Sequence, residues 1–259
     1  MIRFVGRKVI LALGLPVVLI AAWWFGTANS DSFYWPSLGS ILGVFDETWF
    51  TGRFAADVVP SLLRLLVGYF LALVIGVGLG AAIGSFPTFR ALTEPMLEFF
   101  RAIPPPVLVP IFIIFAGIGD GMKVLVIVVG SVWPVLLNTV EGVRGLDDVL
   151  QDTARSYGLK GPSKFFRFVL RGASPQIAAG ARQALSLGII LMVISEMFAA
   201  SNGLGFTIVQ FQRSFALPEM WSGIIMLGLL GVAMSVLFRV VELWALSWYF
   251  GLRKSQGES

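Results

Sequence analysis

The chain has 259 residues, of which 57% are hydrophobic and only 13% are charged, with a formal net charge of +4 at pH 7. An average soluble domain carries about a quarter charged residues, so this composition excludes an ordinary water-soluble domain and indicates a protein covered by lipid. The absence of Cys and His excludes disulfides and the usual zinc, copper or haem ligands, and the scattered basic residues do not form a nucleic-acid-binding domain.

Six apolar stretches are long enough to cross a bilayer, which requires about 20 residues of α-helix. They are Val9 to Phe25, Leu65 to Phe86, Ala102 to Gly119, Val124 to Val140, Gln183 to about Ala200, and Met220 to Phe238. Arg239 and Glu242 follow the last stretch, three residues apart, and we expect them to form a local ion pair. The sequence therefore predicts an all-α polytopic membrane protein with about six transmembrane helices.

The distribution of Lys and Arg predicts the orientation, since basic residues beside a span resist translocation. If the N-terminus is inside, 15 of the 19 basic residues lie on the cytoplasmic side. The four on the outer side are Arg53, Arg64, Lys123 and Arg213. We therefore expect both termini in the cytoplasm, and we expect the long outer segment from Gly26 to Pro60 to lie along the membrane surface.

The first apolar stretch has a second interpretation as a secretory signal. A basic segment precedes it, and Ala28-Asn29-Ser30 loosely resembles a cleavage site. Trp23 and Trp24 stand where an interfacial aromatic belt would end a retained helix, so the retained span is the favoured interpretation.

Glycines and prolines indicate how two of the helices pack and bend. Gly76, Gly80 and Gly84 recur every four residues, which predicts close helix packing, more readily within one subunit than between subunits. The prolines at 104–106 and 110 deny the third stretch regular hydrogen bonds, so this end is expected to be bent or to begin late.

Glu196 lies inside the fifth stretch, where a carboxylate is costly. It is either part of a solute pathway or a hydrogen-bonded structural carboxyl, and both interpretations stay open. Candidate pathway residues, chosen by their positions on helices, are Asn138, Met192, Ser195 and Glu196. Arg64 and Arg213 on the outer side are too few and too peripheral to establish an anionic substrate.

The polar segment at about 141–182 is predicted to form two short helices. Asp147 or Asp148 can cap the first, and Gly158 can supply its left-handed exit. Pro162 suits the first turn of the second helix. Its expected apolar face is Phe165, Phe166, Val169 and Leu170, beside a basic stripe of Lys160, Lys164, Arg167 and Arg171. An amphipathic helix that only rests on anionic headgroups is the alternative.

Two sets of residues resemble a known family. Asp152-Thr153-Ala154-Arg155-Ser156-Tyr157-Gly158, followed after nine residues by Phe168-Val169-Leu170, resembles the EAA loop of bacterial ATP-binding-cassette (ABC) importer permeases, with Asp for the usual Glu and Arg171 for the usual Pro. Further segments resemble permeases for nitrate, taurine and aliphatic sulfonates: Arg101-Ala102-Ile103-Pro104-Pro105, Phe115 to Asp120, Leu136-Leu137-Asn138-Thr139, Gly142-Val143-Arg144, Ser195-Glu196-Met197 and Gly203-Leu204-Gly205.

The resemblance implies a type I importer permease in the bacterial cytoplasmic (inner) membrane, with residues 1–60 as an N-terminal helix and outer segment and 61–259 as the permease core. It implies a second permease copy, two cytosolic ATPase subunits that bind ATP and Mg, and an extracytoplasmic substrate-binding protein. The short helix after Gly158 would dock into the ATPase. The implied coupling residues are Asp152, Ala154, Arg155, Tyr157, Gly158, Leu159, Ser163, Lys164, Phe165 and Phe166. The chain has no GxxxxGK[ST] phosphate loop of its own, so we expect no cofactor in it.

Two other functions are less well supported. A channel or ion-coupled carrier that works without ATP would favour internal repeats, and the two halves show no convincing match. An intramembrane hydrolase using Ser195 beside Glu196 would lack both a His and a Gly-x-Ser-x-Gly turn, so we predict no catalytic residue and no metal ligand.

Overall fold

A computed structural model describes residues 2–28, 32–198 and 200–255, and these residues are almost wholly helical. The α-helices are α1 Ile2–Thr27, α2 Leu38–Thr48, α3 Val59–Ser85, α4 Pro87–Arg101, α5 Val109–Ala116, α6 Asp120–Arg144, α7 Asp148–Ser156, α8 Gly161–Lys164, α9 Leu170–Phe198, α10 Leu204–Arg213, α11 Leu217–Ala245 and α12 Ser247–Ser255. Two π-helical segments, Trp49–Val58 and Phe165–Val169, join α2 to α3 and α8 to α9, and a 3₁₀ turn, Pro105–Leu108, precedes α5.

Four helical stretches in the described part of the chain are long and apolar enough to cross a membrane. They are Leu38–Ser85, Asp120–Arg144, Gly161–Phe198 and Leu217–Ala245. Helices α4 and α5 qualify only as a pair bent by 82°. In α1, the side chains are described from Gly14 onward, and Gly14–Thr27 is apolar but shorter than a full span. These spans confirm the predicted class, an all-α polytopic membrane protein.

The predicted third span, Ala102 to Gly119, is not one helix. Its helix α5 has only eight residues, Val109–Ala116, and Gly117 ends it with a φ of +70°. The preceding prolines lack N–H groups, which confirms the expected bend. The apolar stretch is too short to cross by itself, and α4, an amphipathic helix without a buried residue, completes the pair.

Helix α6 lies at the centre of the bundle, between α3 and α9. The face of α3 that contacts it carries Gly76, Gly80 and Gly84, and a Cβ atom added at Gly80 would lie 2.7 Å from the carbonyl oxygen of Leu136. On the other side of α6, a Cβ at Gly180 of α9 would lie 2.6 Å from the carbonyl oxygen of Pro134. Small residues therefore let three backbones approach closely within one chain.

Gly80→Ala is expected to lower stability by about 1–3 kcal/mol, because the added methyl group overlaps the backbone of α6. Gly78→Ala is the matched control, since a Cβ there meets no atom within 4 Å, and Ala favours the helix. The thermal unfolding midpoints of the two purified variants in detergent test this. Equal midpoints would contradict the close packing of α3 on α6.

The segment from Gly26 to Pro60, predicted to lie along the membrane surface, packs on the helical bundle over part of its length. Helix α2 packs on α11, where Leu38 and Ile41 are buried. Trp49 is also fully buried, and its Nε1–H donates to Ser222 Oγ at 3.0 Å. The apolar and aromatic side chains of this segment therefore contribute to the core. Asn29 and Ser30 of the possible cleavage site lie outside the described residues.

The two ends of the bundle differ in chemistry. At one end, the start of α3, the start of α6 and the end of α9 bring Arg64, Lys123 and Glu196 together. We call this the outer end, because the charge distribution predicts it to be extracytoplasmic. The inner end carries α7 and α8. Several basic side chains counted in the orientation prediction lie outside the described residues, namely those of Arg3, Arg7, Lys8, Arg253 and Lys254.

Candidate functional site

The polar loop at the inner end begins with α7, whose two ends are capped as predicted. Asp147 Oδ1 accepts a hydrogen bond from the Val149 N–H at 2.7 Å. At the other end the N–H groups of Gly158 and Leu159 donate to the carbonyl oxygens of Arg155 and Ala154, at 2.9 and 3.0 Å. Gly158 has a φ of +68°, so this end is a Schellman motif that requires a left-handed residue. The described cap is Asp147; the side chain of Asp148 lies outside the described residues.

The second predicted helix begins at Gly161 with Pro162 in its first turn, and it does not end within the loop. It continues through the π-helical segment Phe165–Val169 into α9. Arg171 stands where the family usually has Pro, so its N–H remains available and the helix is not interrupted there. The loop helix and the following span therefore form one helical stretch, Gly161–Phe198.

An apolar cluster fixes this loop to the bundle. Val169 and Ala173 are buried against Ala81 of α3 and Val143 of α6, and Phe165 and Phe168 pack on the same cluster. The predicted apolar face is wrong for Phe166, whose side chain is 65% exposed. Phe165, Phe168, Val169 and Ala173 follow one another at helical spacings of three, one and four residues, so they share a face from which Phe166 is turned away.

The residues predicted to couple to an ATPase differ in burial. Ala154 is buried, whereas Leu159, Ser163, Lys164 and Phe165 are half-buried. The exposed ones are Asp152, Arg155, Tyr157, Gly158 and Phe166. Val149, also exposed, lies on α7 near them. We call the exposed side chains of Val149, Asp152, Arg155, Tyr157 and Phe166 the loop face; they comprise one aliphatic and two aromatic groups and one ion pair, Asp152–Arg155, of 3.2 Å.

The outer end holds an ion cluster of Asp57, Ser61, Arg64, Asp120 and Glu196, in which only the Asp120 side chain is exposed; we call it the buried ion cluster. The Arg64 guanidinium donates to Glu196 Oε1 at 2.7 Å and to Asp120 Oδ1 at 2.8 Å, and it also bonds the side-chain oxygen of Asn202 at 2.5 Å. Glu196 is fully buried and Arg64 is 5% exposed. The prediction that Arg64 is peripheral is therefore wrong.

This cluster also caps the N-terminus of α10. The backbone N–H groups of residues 203, 204 and 205 donate to Asp57 Oδ1, Ser61 Oγ and Glu196 Oε2, at 3.0, 2.9 and 3.0 Å. These are N–H groups that a helix cannot satisfy by itself, and the positive end of the helix dipole favours the carboxylates. Gly203 permits the close approach, because a Cβ there would lie 2.5 Å from Glu196 Cδ.

The four candidate pathway residues lie in the interior of the chain. Met192, Ser195 and Glu196 are fully buried, and Ser195 Oγ donates to the Met192 carbonyl oxygen at 2.8 Å. Asn138 is half-buried, and its side-chain amide donates to the Pro134 carbonyl oxygen at 2.8 Å. The structure thus gives Glu196 structural partners, and a pathway role for the four residues stays a prediction.

The ion pair predicted between Arg239 and Glu242, at the inner end, is confirmed, and a third residue joins it. Arg239 Nη1 lies 2.8 Å from Glu242 Oε2, as the three-residue spacing predicts. Arg182 of α9 bonds the same carboxylate oxygen, so Glu242 joins α9 to α11. The sequence alone gave no sign of the contact with Arg182, because it joins residues 60 positions apart.

The described residues form a helical bundle with a polar loop fixed to its inner end and a capped helix, α10, at its outer end. Residues 72–245 match the family described as binding-protein-dependent transport system inner membrane component, and the chain belongs to this family. It is therefore a transporter permease of the inner membrane, which confirms the predicted family and favours a transport role over an enzymatic one.

Three relatives and one solved structure specify the similarity. The chain is 28% identical to the taurine transport system permease protein TauC of Escherichia coli, over 94% of this chain and 91% of TauC. It is 29% identical to the aliphatic sulfonates transport permease protein SsuC of Bacillus subtilis, over 90% and 86% of the two chains. It is 30% identical to the nitrate import permease protein NrtB of Leptolyngbya laminosa, over 70% of this chain and 65% of NrtB. Its fold resembles that of a chain of the inward-facing methionine ABC transporter MetNI, with a TM-score of 0.60 and 20% identity over 72% of this chain and 93% of the other.

Proposed function

We propose that two copies of this permease form the membrane unit of an ATP-driven importer, with a cytosolic ATPase bound at each loop face. The observation that carries this proposal is the exposure of Tyr157 and Phe166, 83% and 65%, on a loop that is fixed to α3, α6 and α9 by buried side chains. Exposed aromatic residues on a rigid support are typical of binding anchors. Both termini and the loop are then cytoplasmic.

The energy for import comes from the partner. The chain carries no phosphate-binding loop, so ATP and Mg bind in the ATPase subunits. Closure of those subunits can bias the permease between inward-open and outward-open states only through contacts that differ between the states. A loop that packs on three helices of the core is placed to carry such contacts. We retain the division into residues 1–60 and 61–259, and the pathway role of Asn138, Met192, Ser195 and Glu196, as parts of the proposal.

The solute is a small anionic or polar compound of the nitrate, sulfonate or taurine kind, delivered by an extracytoplasmic binding protein. Support comes from the relatives, since TauC and SsuC are named for taurine and aliphatic sulfonates, and NrtB for nitrate. Sulfonates and nitrate share a compact, negatively charged group of oxygens.

Reconstitution tests this function against an ATP-independent carrier. Proteoliposomes that contain the permease, its ATPase and ATP inside are expected to accumulate labelled taurine or an alkanesulfonate only when the binding protein is outside. Omission of ATP or of the ATPase is expected to abolish uptake. If the permease alone accumulates the solute, the carrier is the correct interpretation and the importer proposal is wrong.

A further inference from the structure

A groove opens at the outer end between Ile118 in the turn after α5, the end of α9 and α10, with a volume of about 620 Å³. We call it the outer groove. Its apolar wall includes Met197, Phe198 and Phe206, and its polar side carries Gln210, Arg213 and Ser214. Sites for small molecules have volumes of about 300–1,000 Å³ and combine apolar walls with a few polar groups. The groove therefore has the size and chemistry of a small-molecule site.

Arg213 differs from the other outer cations in its pairing. Arg64 and Lys123 lie within ion-pair distance of Asp120, at 2.7 and 3.7 Å, and Arg53 pairs with Asp57 at 3.6 Å. Among the described residues, Arg213 has no carboxylate within 4.0 Å. An exposed guanidinium without a carboxylate partner is available to bind an anion, and its planar fork matches a group of several oxygens.

The helix that carries Arg213 is held at both ends. The buried ion cluster caps its N-terminus, as described above. At its C-terminus the Ala216 N–H donates to the Phe211 carbonyl oxygen at 3.0 Å, around Phe215 with a φ of +58°. Phe206, Gln210 and Arg213 are spaced four and three residues apart, so they lie along one face of a fixed helix. The groove is therefore organised before a ligand arrives.

We propose that the outer groove binds an organosulfonate on its way through the permease. The sulfonate oxygens accept hydrogen bonds from Arg213 and the Gln210 amide, and the carbon chain packs on Met197, Phe198 and Phe206. This inference rests on the proposed import function and adds a solute site within the membrane subunit itself. Because nitrate has no carbon chain, it loses the apolar contacts and binds more weakly.

Equilibrium dialysis of the purified permease–ATPase complex against labelled butanesulfonate, without binding protein, tests the site. Arg213→Gln is expected to weaken binding by about tenfold or more, because it removes a charge-assisted hydrogen bond. Arg213→Lys keeps the charge and is expected to lose less. Arg101→Gln removes an equal charge from the exposed Glu98 pair, outside the groove, and is expected to change binding by less than about twofold, which controls for the loss of one positive charge. An excess of nitrate is expected to compete poorly.

Three results would overturn the inference. They are undetectable binding by the unaltered complex, equal losses in Arg213→Gln and Arg101→Gln, and dissociation of the complex on gel filtration when Arg213 is replaced. The last result would assign the groove to contact between subunits. Uptake by proteoliposomes that contain the unaltered complex separates the two proposals. Uptake without binding in the groove would contradict only the groove proposal, whereas absence of uptake would contradict the proposed import function.

Discussion

Arg64→Met is expected to destabilise the folded permease by about 3–5 kcal/mol, because it leaves a fully buried carboxylate without its counterion. Glu196 would keep its hydrogen bonds from Ser61 and from the Gly205 N–H, but these do not neutralise the charge. The loss also removes a contact with Asn202 in the turn before α10. The thermal unfolding midpoint of the purified protein in detergent, and the yield of monodisperse protein, measure the effect.

Two variants make this prediction specific. Arg101 pairs with Glu98 at 2.7 Å, the same distance as Arg64 to Glu196, but both side chains are exposed. Arg101→Met is therefore expected to change the free energy of unfolding by less than about 1 kcal/mol. The double variant Arg64→Met with Glu196→Met replaces both charges with apolar groups and is expected to recover part of the loss. If Arg64→Met is as stable as Arg101→Met, the ion cluster does not hold the outer end together.

Phe166→Asp is expected to reduce ATP-driven uptake by about tenfold or more while the permease stays folded. The Phe166 side chain is largely exposed, so the carboxylate remains solvated in the free permease. At a docking surface, the same change replaces an apolar anchor with a charge. Retention of the ATPase by a tagged permease, and uptake in proteoliposomes, measure the effect.

Phe165→Asp is the matched comparison, one residue away and of identical chemistry. Phe165 packs on the apolar cluster of Val143, Val169 and Ala173, so the carboxylate is expected to lower the unfolding midpoint of the permease itself. The two variants therefore separate docking from folding. Normal ATPase retention and uptake by Phe166→Asp would show that the loop face is not the docking surface.

Local signals in the sequence were sufficient to predict the loop. A capping acid at Asp147, a left-handed residue at Gly158 and a proline at the first turn each act within a few residues, so their effects can be read from the chain alone. The exposure of Phe166 was not predicted, because Phe165, Phe166, Phe168, Val169 and Leu170 are all apolar and the pattern does not show which of them face the bundle. The helical spacing of Phe165, Phe168 and Val169 was the signal that could have placed Phe166 outside the packed face.

The buried ion cluster depends on contacts that the sequence does not show. Arg64 stands at the edge of an apolar stretch and looks like an ordinary interfacial residue, and its partners lie 56 and 132 positions further along the chain. One signal was available in the sequence. Arg64 and Glu196 carry opposite charges and stand near the predicted outer ends of their spans, where a charged side chain is stabilised by an oppositely charged neighbour. The sequence analysis did not predict α4 for a different reason. The search was for uncharged apolar stretches, and α4 is an amphipathic helix with charged residues.

The continuous helical stretch Gly161–Phe198 connects the inner end of the permease to its outer end. Its 38 residues correspond to about 57 Å of α-helix, so a tilt of roughly 10° at one end displaces the other by about 10 Å. Near one tip is the exposed Phe166 of the loop face, and near the other is the carboxylate that caps α10. Under the proposed function, movement of an ATPase bound at the loop face is therefore expected to reach the outer end of the permease.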